Sequence, residues 1–249
     1  MKNLFLFLFL LVVFTSKAQD NRVSGLNSRQ FTKYWKVESE SPDYKVTFQG
    51  DTAEIVSPKG LTLWRKEKMS GKVTIEYDAC VVVESDGDRL SDLNCFWMAS
   101  DPQYPDNLWK REKWRSGIFL NCYSLQLYYL GYGGNHNSTT RFRRYDGDES
   151  GITNPKARPA ILKEYTDAGH LLKPNHWYHI KITNENNRVS YYIDGERLVD
   201  FRDAEPLREG WFGFRTTLSR TRITNFSYEC SSQEATAVPL VRLPGRIRP

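Results

Sequence analysis

Residues 177–230 restrict the fold more than any other part of the chain, because short runs of strand-forming residues alternate there with turn residues. Turns are predicted at 184–187, where asparagines cluster, and at Asp194-Gly195-Glu196. Many short strands with turns at this spacing are typical of an antiparallel sandwich. The predicted strands are 177–183, 188–193, 197–201, 210–217 and 223–230.

The first half of the chain continues this pattern. The segment 71–83 is the most regular, since Val73, Ile75, Tyr77 and Ala79 alternate with polar residues. No long segment has the 3.6-residue period of a helix, so the sequence predicts an all-β antiparallel sandwich. The other predicted strands are 34–38, 44–49, 52–56, 61–64 and 93–99.

The two ends of the chain differ from its middle. Residues 1–18 combine an early lysine, an apolar run at 4–14 and small residues before Ala18, the order of a secretory signal peptide. No cysteine follows at once, so a lipid anchor is not expected, and the mature protein should be secreted or periplasmic. We expect one sandwich domain over 19–230 and a loosely ordered tail over 231–249, which holds three prolines.

The charge balance argues against nucleic acid as a partner. The chain has 35 basic and 30 acidic residues, and 33 basic ones remain after the expected loss of Lys2 and Lys17. Such a small surplus is not the basic footprint of a nucleic-acid binder. The same expectation of a soluble exported protein leaves no role for a membrane.

Four cysteines, at 80, 95, 122 and 230, all fall in predicted strands. Export permits disulfides, and four cysteines allow three pairings, but buried free cysteine also acts as a small hydrophobic residue, which we favour. No His/Cys spacing predicts zinc, and no cofactor is expected. A structural calcium ion near the acidic residues 86–92 stays open.

The stretch 114–147 carries the most chemistry. An apolar strand over 117–130 is followed by glycines at 131–134, and then by a strand in which Arg141, Arg143 and Tyr145 share one face. Three such groups are unfavourable in a core, so we expect them to line a solvated cleft that binds an acidic ligand. A solvated edge strand is the alternative.

Two resemblances follow from these motifs. The runs WYHIKI, NRVSYYIDGERLVDF and GWFGFRTT resemble the closing strands of the concanavalin A-like jelly roll of lectins, glycanases and polysaccharide lyases. The segments FWMASDP, LYYLGYGGN, TTRFRRYDG and HLLKPNHWYHI resemble a family of exported jelly-roll proteins from polysaccharide-degrading bacteria. That family includes an oligosaccharide dehydratase acting on ulvan fragments. The resemblance implies β-elimination on a uronic acid, by a dehydratase or a lyase.

β-Elimination removes the proton on C5 of a uronate and expels the oxygen on C4. It requires a clamp for the carboxylate, a base and an acid. Arg141 and Arg143 suit the clamp, because guanidinium groups bind carboxylates in a bidentate way. Arg215, which alternates with Trp211 and Thr217, is expected to line the same trough.

Histidine and tyrosine supply the candidate base and acid. His136 lies in the glycine-rich loop, and His179 alternates with apolar residues of its strand, facing either the trough or the outer surface. On the first hairpin strand Gln126 and Tyr128 are expected to face the trough. Tyr128 and Tyr145 are therefore the candidate acids, and Gln126 is a candidate for substrate binding.

Two other functions fit the composition, in which 14% of residues are aromatic. A non-catalytic carbohydrate-binding module would stack Trp97, Trp109 and Tyr128 on sugar rings, and Trp97 is a candidate sugar contact in either case. A glycoside hydrolase needs paired carboxylates, but no E-x-D-x-x-E strand is present, and Glu76 and Asp78 fit a solvated face. The enzyme, a carbon–oxygen lyase, is preferred because arginines and a loop histidine converge.

Overall fold

Antiparallel strands make up most of the described chain, residues 23–231, in this computed structural model. The predicted signal peptide and most of the predicted C-terminal tail lie outside these residues. The prediction of an all-β antiparallel sandwich is confirmed. The strands are β1 (Val23–Ser24), β2 (Trp35–Ser39), β3 (Lys45–Gln49), β4 (Thr52–Arg65), β5 (Met69–Ser70), β6 (Lys72–Val81), β7 (Leu93–Ser100), β8 (Gln126–Gly133), β9 (Thr139–Asp146), β10 (Lys163–Tyr165), β11 (Tyr178–Glu185), β12 (Arg188–Ile193), β13 (Glu196–Arg202) and β14 (Glu209–Ser231).

Helical segments are short and lie in the connections. The α-helical turns are α1 (Phe31–Tyr34), α2 (Glu112–Arg115), α3 (Gly134–Asn137) and α4 (Ser150–Thr153). The 3₁₀ turns are Leu108–Arg111, Leu120–Ser124, Pro155–Ala157 and Ala168–His170. No helix among residues 23–231 is long and apolar enough to cross a membrane.

Two long strands, β4 and β14, run through both layers of the sandwich. The first part of β14 pairs with β7 and with the second part of β4, whereas its second part pairs with β6 and with the first part of β4. The front sheet therefore has the order β10-β9-β8-β7-β14-β4-β2. The back sheet has the order β13-β12-β11-β6-β14-β4-β3.

These long strands replace pairs of shorter strands predicted from the sequence. Ser57-Pro58-Lys59-Gly60 reads as a turn, but β4 continues through it, and the pairing of β14 with β4 shifts register between Thr217 and Ser219. A bulge bends a strand without ending it. The bends carry both strands from one sheet into the other.

The main core lies between the two sheets. Apolar side chains of β7, β8 and β9 face those of the back sheet, and Trp97 packs against Tyr128, Phe142 and Tyr191 at ring-centroid distances of 5.7, 6.0 and 6.1 Å. All four side chains are buried. Aromatic residues therefore serve mainly to fill the sandwich.

A second apolar cluster lies on the outer face of the front sheet. Residues 101–125, here called the covering segment, place Leu108, Cys122 and Leu125 over side chains such as Phe96 and Leu127. The predicted strand at 117–125 is wrong, because Gly117 has a φ of +72° and residues 120–124 form a 3₁₀ turn. Its apolar residues cover the sheet instead of extending it.

All four cysteines carry free thiols. Cys95 lies in the main core and Cys122 lies in the covering segment, facing the sheet, and neither has exposed surface. Burial raises the pKa of each of these two thiols to about 12. They act as small apolar residues in the packing.

Candidate functional site

The covering segment leaves part of the front sheet open, and a cavity of about 350 Å³ lies there. We call it the front cavity. Its volume is within the usual range of small-molecule sites. The lining residues are Glu40, Arg89, Asp92, Asn94, Phe119, Tyr123, Tyr129, Gly131, Gly134, Asn135, His136, Thr139, Arg141, Arg143, Tyr145, Arg215 and Thr217.

The cavity floor is a row of residues in register across four strands. Arg141 of β9 pairs with Gly131 of β8, which pairs with Asn94 of β7, which pairs with Arg215 of β14. Neighbouring strands lie about 4.8 Å apart. Because side chains alternate along each strand, those of Arg141, Asn94 and Arg215 point to the face away from the main core. The two guanidinium groups therefore lie on either side of the Asn94 amide.

Tyr129 places its hydroxyl group over the glycine of this row. A Cβ atom at Gly131 would collide with Tyr129 Oη, so the ring leans from its own position toward the centre of the floor. Burial raises the pKa of Tyr129 above its usual value, and Asp92 adds to this effect, whereas Arg215 and Arg143 oppose it. The phenol is therefore protonated at neutral pH and can donate a hydrogen bond or a proton.

Arg215 is a buried and fixed cation. Its guanidinium group donates to the carbonyl oxygen of Gly117 and to Thr62 Oγ1, and lies 3.9 Å from Glu40 Oε1. Gly60 permits this approach, because a Cβ atom there would collide with both charged groups. The cation cannot turn away from the cavity.

The other three arginines lie nearer the rim. Arg141 pairs with Glu164 of β10, and Arg143 donates to the carbonyl oxygen of Pro159. Arg89 donates to the carbonyl oxygen of Thr217 and pairs with Asp92, at 2.9 Å in each case. Four arginines thus face two carboxylates in the cavity lining, which favours an anionic ligand.

Asp92 and Asn94 form a polar wall beside Arg215. Asp92 has a φ of +64° and accepts hydrogen bonds from Ser91 Oγ at 2.9 Å and Asn94 Nδ2 at 3.2 Å. Asn94 Oδ1 is buried and has no hydrogen-bond partner among the described residues. An unpartnered amide oxygen at a cavity wall is available to a hydroxyl group of a ligand.

His136 projects from the turn that joins β8 and β9. Asn135, His136 and Asn137 all have positive φ angles, of 51°, 58° and 58°. A run of residues with left-handed backbone angles is a specified conformation. The imidazole lies at the end of the cavity opposite the covering segment.

Aromatic rings form the wall nearest the covering segment. Tyr145 packs against Tyr123 and Tyr129 at centroid distances of 5.2 and 5.8 Å, and Phe119 contacts Tyr129 at 5.6 Å. Burial raises the pKa of Tyr145 well above its usual value, and Tyr145 Oη is buried with no partner among the described residues. This phenol is a hydrogen-bond donor, not a base.

The structure brings five of the nine predicted site residues together. His136, Tyr145, Arg141, Arg143 and Arg215 all line the front cavity. They come from the turn between β8 and β9, from β9 itself, and from β14, where Arg215 lies at least 70 positions later in the chain than the other four. Their roles remain predictions.

Two predicted site residues face the core instead. Tyr128 is fully buried and donates to Asp203 Oδ2 at 2.6 Å, and Trp97 is fully buried against Tyr128 and Tyr191. The prediction that they meet a sugar is wrong. The two faces of β8 are the reverse of those predicted, so Tyr128 faces the core and Tyr129 lies at the cavity, where Tyr128 was expected.

Two further predicted residues lie away from the cavity. Gln126 shares the face of Tyr128 and begins β8 next to Pro102 and Gly147. His179 lies on the outer face of the back sheet, where its Nδ1 is 2.7 Å from Asp78 Oδ1 and its side chain is 54% exposed. Of the two orientations open for His179, the structure has the solvated one.

Sequence reasoning did not name the other twelve lining residues as site residues; they include Tyr129, Asn94, Asp92, Arg89 and Glu40. Asp92 and Arg89 lie in the charged connection between β6 and β7, where no alternation indicates which way a side chain faces. Asn94 and Tyr129 lie in apolar runs without clear alternation, so their facing gave no signal. Only the pairing of β8 with β9, in which polar and apolar residues alternate clearly, would have shown which way Tyr129 faces.

The described residues hold no group of three or more His, Cys, Asp or Glu side chains placed to bind a metal ion. The expected calcium region is occupied by protein contacts: Asp88 accepts from the backbone of Glu84 and Ser85, and Asp92 pairs with Arg89. Calcium stays a prediction that no contact supports.

Solved structures similar to this chain share its sandwich. A Bacillus subtilis protein of unknown function with a galectin-like fold has a TM-score of 0.65 at 16% identity, covering 84% of this chain and 94% of its own. Carbohydrate binding module CBM66 from Bacillus subtilis has a TM-score of 0.51 at 15% identity, covering 78% and 94%. The exoplasmic/lumenal domain of VIP36, bound to Ca²⁺ and Man3GlcNAc, has a TM-score of 0.56 at 9% identity, covering 87% and 91%. At these identities the likeness establishes the jelly-roll fold alone.

A search of curated proteins gives no match to this sequence. A family model does match, over residues 55–226, and it extends from within β4 to within β14 and includes every residue of the floor row. The chain belongs to the family described as a domain of unknown function, DUF6250.

Proposed function

We propose that the front cavity binds a uronate residue of an oligosaccharide and catalyses β-elimination on it. One observation carries this proposal. A protonated phenol, Tyr129, lies within a ring of arginines on an open face of a jelly roll. The resemblance to exported proteins of polysaccharide-degrading bacteria supports the same substrate class.

The carboxylate clamp would come from the floor row. Arg215 is fixed by its own hydrogen bonds, Arg141 stands at the other end of the row, and Asn94 lies between them. Loss of the C5 proton moves negative charge onto the uronate carboxylate, so preorganised cations there stabilise the transition state more than the ground state. Arg143 would hold a neighbouring hydroxyl or acidic group.

Tyr129 and His136 suit the two proton transfers. Neutral His136 would take the C5 proton, the electron pair would form the C4–C5 double bond, and the C4–O bond would break. Tyr129 would give its proton to the departing oxygen, and the imidazolium would return a proton to the phenolate through water. Tyr145 is less suited, because it lies four residues, about 13 Å, along β9 from Arg141.

The leaving group distinguishes two versions of this enzyme. A hydroxyl on C4 leaves as water, as in a dehydratase acting on the non-reducing-end uronate of ulvan-type fragments. A glycosidic oxygen leaves as a shortened chain, as in a polysaccharide lyase. We favour the dehydratase on the resemblance described above.

A non-catalytic binding module is the second candidate. The fold similarity to CBM66 and to the sugar-bound VIP36 domain supports it. Against it, two of the three residues expected to stack on sugar rings, Trp97 and Tyr128, are buried, and only Trp109 is partly exposed. Sugar binding is common to both candidates.

The deciding experiment mixes the purified protein with uronate oligosaccharides, ulvan fragments included, and follows the ultraviolet absorbance of a 4,5-unsaturated uronate. A rise with loss of one water in the mass spectrum is the expected result. A rise with chain shortening identifies a lyase, and shortening without a rise identifies a hydrolase. Binding without any reaction would overturn the elimination proposal and leave the module. Neutral oligosaccharides are the control for the acidic group.

A further inference from the structure

The turn that carries His136 is tied to a distant part of the chain. Residues 167–172, here called the strap, run past the end of the β8–β9 hairpin. Asn137 Nδ2 donates to the carbonyl oxygen of Leu172 at 2.9 Å, and the backbone N–H of Leu172 donates to Asn137 Oδ1 at 2.8 Å. The side-chain amide of Asn137 thus pairs with a peptide group as another peptide would.

Two more hydrogen bonds fasten the hairpin to the strap. Thr140 Oγ1 donates to the carbonyl oxygen of His170 at 2.6 Å and accepts from the backbone N–H of Gly133 at 3.2 Å. Tyr132 Oη donates to the carbonyl oxygen of Leu171 at 3.3 Å. The strap therefore contacts both strands of the hairpin next to the turn.

The turn itself is intrinsically unfavourable. Residues with side chains rarely take positive φ, and three follow one another here, after Gly133 at +66°. Such a conformation persists only when the surroundings specify it. Gly133 also lets the turn approach the strap, because a Cβ atom there would collide with Leu172.

We propose that Asn137 is a positioning residue that holds the His136 imidazole over the front cavity through its paired hydrogen bonds with Leu172. Its importance for catalysis rests on the proposed function, whereas its effect on His136 does not. Asn137 itself does not line the cavity, so it acts only through its neighbour.

Three variants distinguish the loss of the two Asn137 side-chain hydrogen bonds from the requirement for a residue that accepts a positive φ angle. Asn137→Gly keeps a residue that accepts positive φ but removes both side-chain hydrogen bonds. Asn137→Asp keeps the acceptor for the Leu172 N–H and loses the donor. Asn186→Gly is the matched control, since Asn186 also has a positive φ, of 55°, in the turn between β11 and β12.

The test is nuclear magnetic resonance of the ligand-free protein, with the four histidines assigned by single His→Gln variants. In Asn137→Gly we expect the Leu172 amide to exchange at least tenfold faster, and the His136 Hε1 resonance to shift or broaden. Asn137→Asp should fall between Asn137→Gly and the wild type. Asn186→Gly should match the wild type in both signals.

An unchanged His136 resonance in Asn137→Gly would overturn the proposal, whether or not Leu172 exchanges faster. If the elimination reaction is found, Asn137→Gly should lower kcat with little change in KM, because the arginine clamp is untouched. A wild type that shows no reaction would sink the proposed function but leave the ligand-free comparison valid.

Discussion

Two adjacent tyrosines show how strongly one residue's position determines its chemistry. Tyr128 Oη donates to Asp203 Oδ2 at 2.6 Å and accepts from the N–H of Leu207 at 3.1 Å, inside the sandwich. Tyr129 turns to the other face, under the front cavity. The first phenol fastens the β13–β14 connection to the hairpin, and the second is available to a ligand.

Replacement of each tyrosine by phenylalanine should therefore affect a different property, stability for Tyr128 and activity for Tyr129. Tyr128→Phe should lower the free energy of unfolding by about 1.5–3 kcal/mol, since a hydrogen bond to a charged group is lost, and should leave the reaction unchanged. Tyr129→Phe should reduce the elimination rate by about 10²–10⁴-fold with little loss of stability. Urea unfolding and the unsaturated-uronate absorbance measure the two effects. Equal loss of activity in both variants would contradict these roles.

At the scale of single residues, the sequence predicts which face of the sheet a side chain occupies wherever polar and apolar residues alternate. In β9, Arg141 and Arg143 flank the core residue Phe142, and in β14 Arg215 follows the core residue Phe214, so both strands were oriented correctly. Strand β8 has tyrosine on both faces, so the pattern carries no contrast there. A one-residue shift in the interpretation then moves every side chain to the wrong face.

At the scale of the structural elements, buried charged groups hold the covering segment in place. Arg115 has no exposed surface, and its guanidinium group meets Glu38 of β2 at 3.0 Å and the carbonyl oxygen of Leu108 at 2.6 Å. Asp101 lies 3.7 Å from the same group and also binds Arg111. These contacts attach the segment to the front sheet beside the cavity.

Removal of Arg115 should leave Glu38 buried without its partner. Arg115→Met should cost about 3–5 kcal/mol of unfolding free energy near neutral pH. Burial already raises the pKa of Glu38, and Arg115 opposes this, so the variant raises that pKa further. Protonation of Glu38 then relieves the cost, and the loss should be smaller at pH 5 than at pH 8.

Urea unfolding at both pH values measures this dependence. The double variant Glu38→Gln/Arg115→Met is the control, because it removes the buried carboxylate together with its partner. It should be more stable than Arg115→Met at pH 8. The same loss at pH 5 and pH 8 would contradict the assignment to Glu38.

The strap contains a second pH-dependent contact. His170 Nδ1 lies 2.7 Å from Asp167 and its Nε2 lies 3.2 Å from Glu196. Burial lowers the pKa of His170, but the hydrogen bonds to Asp167 and Glu196 outweigh it, so the pKa is raised. A raised pKa stabilises the fold fully below the unfolded value, about 6.5, and this contribution is lost as the pH rises through the folded value.

His170→Gln should therefore lower Tm more at pH 5.5 than at pH 9. Thermal unfolding of the variant and the wild type across this range measures the difference. In a Glu196→Gln background, the pH-dependent part of the effect should shrink, since one anionic partner is gone. A Tm difference that does not change with pH would contradict the role of the charged imidazole.

The order of the strands was predictable from the turn residues between them. The contacts that attach the long connections to the sheets were not. The strands of the back sheet were predicted almost to the residue, for example Arg188–Ile193. The covering segment was misread in part as a strand, because its aromatic and leucine residues have the same strand propensity as those of β8. Burial of Arg115, which belongs to this segment, depends on its contact with Glu38, 77 positions away, which no local pattern encodes.

For the whole molecule, the shared strands make the two sheets one mechanical unit. Both β4 and β14 belong to each sheet, so neither sheet can unfold while the other keeps all its pairs. The covering segment adds to this unit through its packing on Trp64 of β4 and Trp211 of β14. We therefore expect the front cavity to persist until the molecule unfolds globally.

Two buried thiols provide a test of this expectation. Cys95 reports on the main core and Cys122 on the covering segment, and labelling requires exposure because burial raises the pKa of each to about 12. With Cys80 and Cys230 replaced by serine, and one of the two remaining cysteines by alanine, each protein carries a single reporter. Labelling rates across sub-denaturing urea should give opening free energies for both reporters equal to that of global unfolding. Faster labelling of Cys122 than of Cys95 would mean that the covering segment opens alone, and that a wall of the front cavity moves while the sandwich stays folded.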